Sequence, residues 1–321
     1  MSPYEMGRKA ITMQATLFRC SVPALMAILY GCDFEDLPGG VREREEVRKE
    51  MAMKPGSHFE LESFNGSVEI RGWDQDRIDI AATKTASTRE LLDEIKIDIS
   101  QSADGVRIRS VRPEGRHSNM GVSYVISLPR KTTMDRVASS NGSIRMEGVE
   151  GAAKLRSSNG SVRLTQVKGD VDASTSNGSI EVNSFSGGAI LRTSNGAIRA
   201  SGVRGFFDAQ TSNGSIDADI DEATGRTVRA NTSNGKIELG IAKLRDSDVV
   251  ASSSNSSVVL RLPEDVGARL KAATSNGSIH TAFEVRAQGE LSKKRIEGTI
   301  GTGGPLIDVH TSNASIRIEK M

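Results

Sequence analysis

Aromatic residues make up 4% of the 321 residues, with a single Trp, fewer than a globular enzyme usually carries. Charge of one sign is also missing. Lys and Arg number 42 against 41 Asp and Glu, for a net charge of +1, so no global field draws the chain to nucleic acid or to an anionic membrane. Two cysteines exclude a multi-disulfide framework, so stability has to come from packing. The four histidines, His58, His117, His280 and His310, are too scattered for a metal cluster. The longest apolar run, Ser21 to Tyr30, is shorter than the about 20 residues a spanning helix needs.

What the sequence does have is a ruler. Asn141, Asn159, Asn177, Asn195 and Asn213 are spaced by 18 residues, each inside Ser-Asn-Gly. Asn234, Asn255 and Asn276 follow at steps of 21, and Asn313 after 37; the longer steps are expected to be coils with insertions. Three residues after each Asn stands a β-branched apolar residue, as in Ile144, Val162, Ile180, Ile198, Ile216 and Ile237. A further apolar series follows two residues later (Met146, Leu164, Val182), so a period-2 strand leaves each Asn. Another arrives, carrying Ala153, Leu155 and Ser157, then Val171, Ala173 and Thr175. Between them Val149 and Gly151, Val167 and Gly169, Phe185 and Gly187, and Val203 and Gly205 predict an apolar anchor and a second corner.

Asn-Gly between alternating segments is also a hairpin signal. A meander of so many copies, however, would need about twenty strands in one open sheet, where about ten is the usual limit, and nothing in it requires equal loop lengths. Stacked coils do, since each unit buries its apolar face only against its neighbours. The expected fold is therefore all-β: a β-solenoid, parallel β-helix-like, of 18 to 21-residue coils. Its Asn141, Asn159, Asn177, Asn195, Asn213, Asn234, Asn255, Asn276 and Asn313 should form a hydrogen-bonded ladder along one corner. The following Gly is expected to supply positive φ, a geometry less comfortable at Asn255-Ser256 and Asn313-Ala314, or shifted there to the Asn. The Ser or Thr two positions before each Asn should face inward and satisfy backbone groups.

The N-terminus differs in kind. Arg8, Lys9 and Arg19 precede the apolar run, which ends at Gly31-Cys32, the order of a secretory signal. Leu29-Tyr30-Gly31-Cys32 resembles a bacterial lipobox; Cys32 would carry lipid and Cys20 would leave with the signal. Tyr30 stands where a small residue is usual. The alternative is an ordinary signal with an incidental Cys. The expected organisation is a signal peptide at 1–32, a charged tether at 33–54, an N-terminal β cap at 55–130 and the Ser-Asn-Gly solenoid at 131–321. Phe59, Leu61, Asn65-Gly66, Val68 and Ile70 already imitate the repeat inside that cap. A short helix is expected at 88–93, capped at Ser87 or Thr88, and Trp73 is expected to plug the core.

Chemistry is sparse. The outward series four residues past each Asn (Arg145, Arg163, Glu181, Arg199, Asp217, Glu238) mixes signs, as a solvated face does, and holds no aromatic for stacking a sugar. Asp217, Asp219, Asp221 and Glu222 form one acidic patch that calcium could use, but it lacks the glycine-rich pattern of calcium-binding β-rolls. Phe206 is expected as an exposed contact or a corner filler. No catalytic, cofactor or metal residues are expected.

The Ser-Asn-Gly-Ser-Ile units, Leu262-Pro263-Glu264 leading into Ala268 to Ile279, and Gly298-Thr299-Ile300-Gly301 leading into Leu306 to Ile318 resemble the bacterial putative adhesin family of β-strand-repeat proteins of unknown function, over about residues 55–320. The resemblance implies a regular β-solenoid at the cell envelope and no established enzymatic activity. The expected role is a non-enzymatic, lipid-anchored adhesin-like or scaffolding protein with an envelope protein or glycan as partner and no nucleic acid. A carbohydrate-active β-helix enzyme and a filament-forming scaffold are the alternatives.

Overall fold

A computed structural model of the chain describes residues 43–113, 115, 119–287 and 292–321. The signal region, Cys20, Cys32 and His117 lie outside the described residues. Within them are 25 β-strands and one helix, Arg89–Glu94, capped as expected by Thr88, whose hydroxyl accepts from the Leu91 N–H.

The repeat folds as two parallel ladders, one built from the strand arriving at each Asn and one from the strand leaving it. The leaving strands stack Val68–Trp73, Ile144–Glu147, Val162–Lys168 and Ile180–Arg192 in register, so that Val68, Ile144, Val162 and Ile180 form one column. That column continues through Ile198, Ile216, Ile237, Val258 and Ile316. Each of these residues is essentially inaccessible, and burying one such side chain contributes roughly 1.5–3 kcal/mol. The arriving strands run alongside in the same manner, with Leu155, Ala173, Leu191 and Ala209 in their inner column. Parallel pairing between successive copies rules out the hairpin meander.

The stacking order departs from sequence order at both ends. Asn65 joins the ladder below Asn141, so the level His58–Ser63 and Val68–Trp73, expected inside an atypical cap, is a full member of the stack. Gly105–Val111 and Gly121–Pro129 lie outside it. At the other end the step of 37 is not an enlarged coil. Leu306–Thr311 and Ile316–Lys320 insert between the level of Asn255 and that of Asn276. The coil earlier in sequence is therefore the outermost, and Ile318 is buried rather than exposed at an end.

Antiparallel strands cover the terminal levels. Arg77–Ala86 pairs with Gly121–Pro129, Lys96–Gln101 with Gly105–Val111, and Arg295–Ile300 with Ala268–Thr274. The segment expected as a solvated tether supplies one of these edges. Glu43–Ala52 is a strand along Arg77–Ala86, because Val47 and Met51, two apolar residues four apart, pack against the core while Arg44, Glu46 and Arg48 stay exposed. Such charges discourage pairing with another chain.

Trp73 does not plug the core. It sits half-buried at the end of its strand, its indole N–H donating to the Arg77 carbonyl at 2.9 Å and the Arg77 guanidinium 5.2 Å from the ring centroid.

Candidate functional site

The Asn corner is structural. Asn159 donates its side-chain amide to Asn141 at 2.5 Å, and Asn177, Asn195 and Asn213 each donate to the preceding Asn at 2.7 Å. Asn234 and Asn255 continue at 2.8 and 2.7 Å; Asn313 then donates to Asn255 at 2.7 Å, and Asn276 to Asn313 at 2.8 Å. A second ladder runs inside the first. The Thr193 hydroxyl donates to the Gly178 carbonyl of the previous level at 3.0 Å and accepts from its own Gly196 N–H at 3.2 Å; Ser157, Thr175, Thr211 and Thr232 do the same.

The glycine of this motif is required for a reason other than the expected one. Gly160, Gly178, Gly196 and Gly214 are not at positive φ. A Cβ on Gly178 would stand 2.0 Å from the Gly160 carbonyl oxygen, so close approach between coils sets the requirement. Asn255 and Asn313 are likewise not left-handed. Positive φ belongs to the opposite corner, at Gly151, Gly169, Gly187 and Gly205. It recurs three residues before each of these, at Gly148, Gln166, Ser184 and Gly202. Ser184 and Gln166 drop out of the strand register there, as a stacked bulge.

Along the outward stripe Arg163 pairs with Glu181, and Glu238 with Lys236 and Arg261. Arg163 donates to Glu181 one level on at 2.7 Å, and that bond is the main reason the Glu181 carboxyl lies below the usual carboxylate range. Lys168 does the same for Glu150, and Arg245 for Glu222. The acidic patch is thereby divided. Asp221 pairs with Arg204 at 3.2 Å and Glu222 with Arg245 at 2.7 Å, while Asp217 and Asp219 are exposed. Among the described residues no three His, Cys, Asp or Glu side chains are grouped to hold a metal ion. His58 contacts Asp135 at 2.8 Å, His280 contacts Ser278 at 3.1 Å, and His310 lies 3.5 Å from Asp308.

A concave surface lies at the glycine corner, where the sequence offered only Phe206, as an exposed contact or a corner filler. A groove of about 660 Å³ crosses successive coils there, between Asp135, Lys154, Asp170 and Asp172 on one side and Phe206 and Arg226 on the other. Its floor exists because one coil has two successive glycines, Gly187-Gly188, where the equivalents of Gly188 are Ala152, Asp170 and Phe206. The Asp170 carboxylate accepts from the Gly188 N–H at 2.9 Å. A Cβ on Gly188 would stand 2.7 Å from that carboxylate oxygen and 3.5 Å from Phe206 Cδ1, so the two side chains flank the space the glycine leaves. The Arg226 guanidinium stands 5.4 Å from the ring centroid. The signal available in the sequence was this doubled glycine interrupting an 18-residue column.

A model of the family described as Toastrack DUF4097 matches residues 57–319. No curated protein matches the chain. Similar solved structures include a "putative cell adhesion protein" from Clostridium sporogenes, at 13% identity and TM-score 0.26, covering 86% of this chain and 100% of that one. A "putative adhesin" from Bacteroides fragilis has 7% identity and TM-score 0.29, with 86% and 97% covered. A "putative lipid binding protein" from Parabacteroides distasonis has 11% identity and TM-score 0.26, with 88% and 98% covered. With the family model spanning the whole two-ladder stack, this chain belongs to the Toastrack DUF4097 family.

Proposed function

We propose that the chain is a non-enzymatic, adhesin-like scaffold of the cell envelope, held by a lipid on Cys32 and presenting a stiff β-solenoid surface. The observation that carries this reading is the unbroken ladder of ten Asn side chains, from Asn65 to Asn276. With about 4.8 Å between levels it braces a stack about 45–50 Å long. A stack of this kind gives length at low sequence cost, because each level needs contacts only with its neighbours. Ten residues, 33–42, lie between Cys32 and Glu43, so a lipid on Cys32 would hold Glu43 within about 40 Å of the membrane surface.

The test is fractionation of cells expressing wild type or Cys32→Ala, with metabolic fatty-acid labelling. Label and membrane association in the wild type, both lost in the variant, are expected. An unlabelled, soluble wild type would remove the anchor and make a secreted binding protein the better reading.

A further inference from the structure

We infer that the groove at the glycine corner is a binding site for a neutral linear oligosaccharide lying along the solenoid axis. The charges lining it balance, with Asp135, Asp170 and Asp172 against Lys154, Arg204 and Arg226, so neither a polyanion nor a polycation is favoured. Several of these groups are available to a ligand. Lys154 has no ion pair or hydrogen bond among the described residues and is exposed. The Arg226 guanidinium meets the Phe206 ring and has no ion pair among the described residues. Asp172 is held loosely, 3.7 Å from Arg192, and Asp170 commits one oxygen to Gly188. Charged side chains of this kind make strong, directional hydrogen bonds to hydroxyls.

The apolar part of the groove matches the other half of a sugar's surface. Ile190 points outward from its strand, half-buried, in register between Asp172 and Asp208. Phe206 is half-buried beside Gly188, which carries no side chain to cover it, with the Arg226 guanidinium 5.4 Å from its ring centroid. A pyranose has a C–H face that packs on such surface and equatorial hydroxyls that reach the charged rim. Backbone addition of a peptide is excluded here, because the strands beneath are paired on both sides. Lys154 and Arg226 stand about four coil spacings apart, roughly 20 Å, which suits several sugar units rather than one. The groove is open along its length, so a polymer could be engaged internally.

This site rests on the envelope reading for where such glycans occur, but its test requires no anchor. The full chain, purified in detergent, is applied to an array of defined gluco-, manno-, galacto- and N-acetylglucosamine oligosaccharides of two to six units, and the best hexasaccharide is titrated by calorimetry. A hexasaccharide should bind much more tightly than its disaccharide, and Phe206→Ala or Lys154→Glu should weaken it at least about tenfold. Arg163→Ala, outside the groove, should leave it unchanged. Failure of every oligosaccharide to bind at millimolar concentration overturns the proposal, as does binding indifferent to Lys154→Glu in a protein that melts like wild type. Preference for polygalacturonate, abolished by salt, overturns the neutral assignment. Loss of the Cys32 label would leave all of these outcomes unaffected, so the two readings fail separately.

Discussion

Asn276 donates its side-chain amide to Asn313, which lies 37 residues later in the chain, at 2.8 Å. Asn313 in turn donates to Asn255, 58 residues earlier. The corner ladder thus continues without a gap while the chain runs past one level and returns to fill it. The ladder records spatial order, and sequence order agrees with it from Asn65 to Asn255 but not for Asn276 and Asn313.

The inward and outward faces should separate cleanly under substitution. Ile180→Asp and Ile198→Asp each place a carboxylate in a column with no accessible surface, and a buried, unpaired charge of this kind is expected to unfold the stack or cost more than about 4 kcal/mol. Arg163→Ala removes a partly exposed pair with Glu181 and should cost no more than about 1 kcal/mol. Urea unfolding followed by circular dichroism measures all three; similar midpoints would refute the face assignment.

Thr193 tests the inner ladder. Its hydroxyl bridges two levels, donating to Gly178 and accepting from Gly196. Thr193→Val keeps the shape and leaves a buried carbonyl and N–H unsatisfied, which costs about 1–3 kcal/mol. Thr193→Ser should be close to neutral, since Ser157 and Ser253 make the same two bonds at their own levels. Equal losses for Val and Ser would assign the effect to packing.

Much of this architecture was readable in advance because an 18-residue period leaves few alternatives. The two strands per coil, the inward Ile and Val columns and the Asn contacts all follow from it. The features that escaped depend on contacts between levels. Gly178 is needed because of the Gly160 carbonyl, which spacing alone does not reveal. The strand Glu43–Ala52 was hidden by its charges, since an edge strand at a stack end needs few apolar residues. Trp73 has the composition of a core residue but sits at a strand end beside Arg77. The groove arises from one absent side chain, at Gly188, and absence in a single copy leaves no periodic signal.

Stability should fall at both extremes of pH, for separate reasons. The Arg163 hydrogen bond holds the folded Glu181 carboxyl below its ordinary value. Its contribution is present above the unfolded pKa of about 4.3 and is lost as pH drops through the folded value. Burial pushes Tyr124 the other way, to about 12, partly opposed by the Ser110 hydroxyl 2.5 Å away. That contribution is present below the unfolded pKa of about 10 and disappears as pH rises toward 12. Melting temperature against pH should therefore decline below about pH 4.3 and above about pH 10. Arg163→Ala should flatten the acid limb and Tyr124→Phe the alkaline one. An alkaline limb unchanged in Tyr124→Phe would show that this phenol is not the group responsible.

The out-of-order C-terminal level makes the strongest prediction about assembly. Truncation after Thr302 removes only the last residues of the sequence, yet it takes away Leu306–Thr311 and Ile316–Lys320, which separate two other levels. Ala268–Thr274 and Ile279–Thr281 would lose their parallel partners, and Val258–Leu262 would become an edge. Hydrogen exchange should then show lost protection across residues 258–282 while residues 144–241 remain protected, because each level depends mainly on its neighbours. Truncation after Leu262 removes both outer levels and leaves a single bare edge. It should protect residues 144–241 just as well, without a detached coil, and should associate more readily through that edge. If the shorter deletion instead preserved protection at Leu270 and Ala272, the outer coil would be docking directly on the level of Asn255. Inserted order would then not be required for the stack to close.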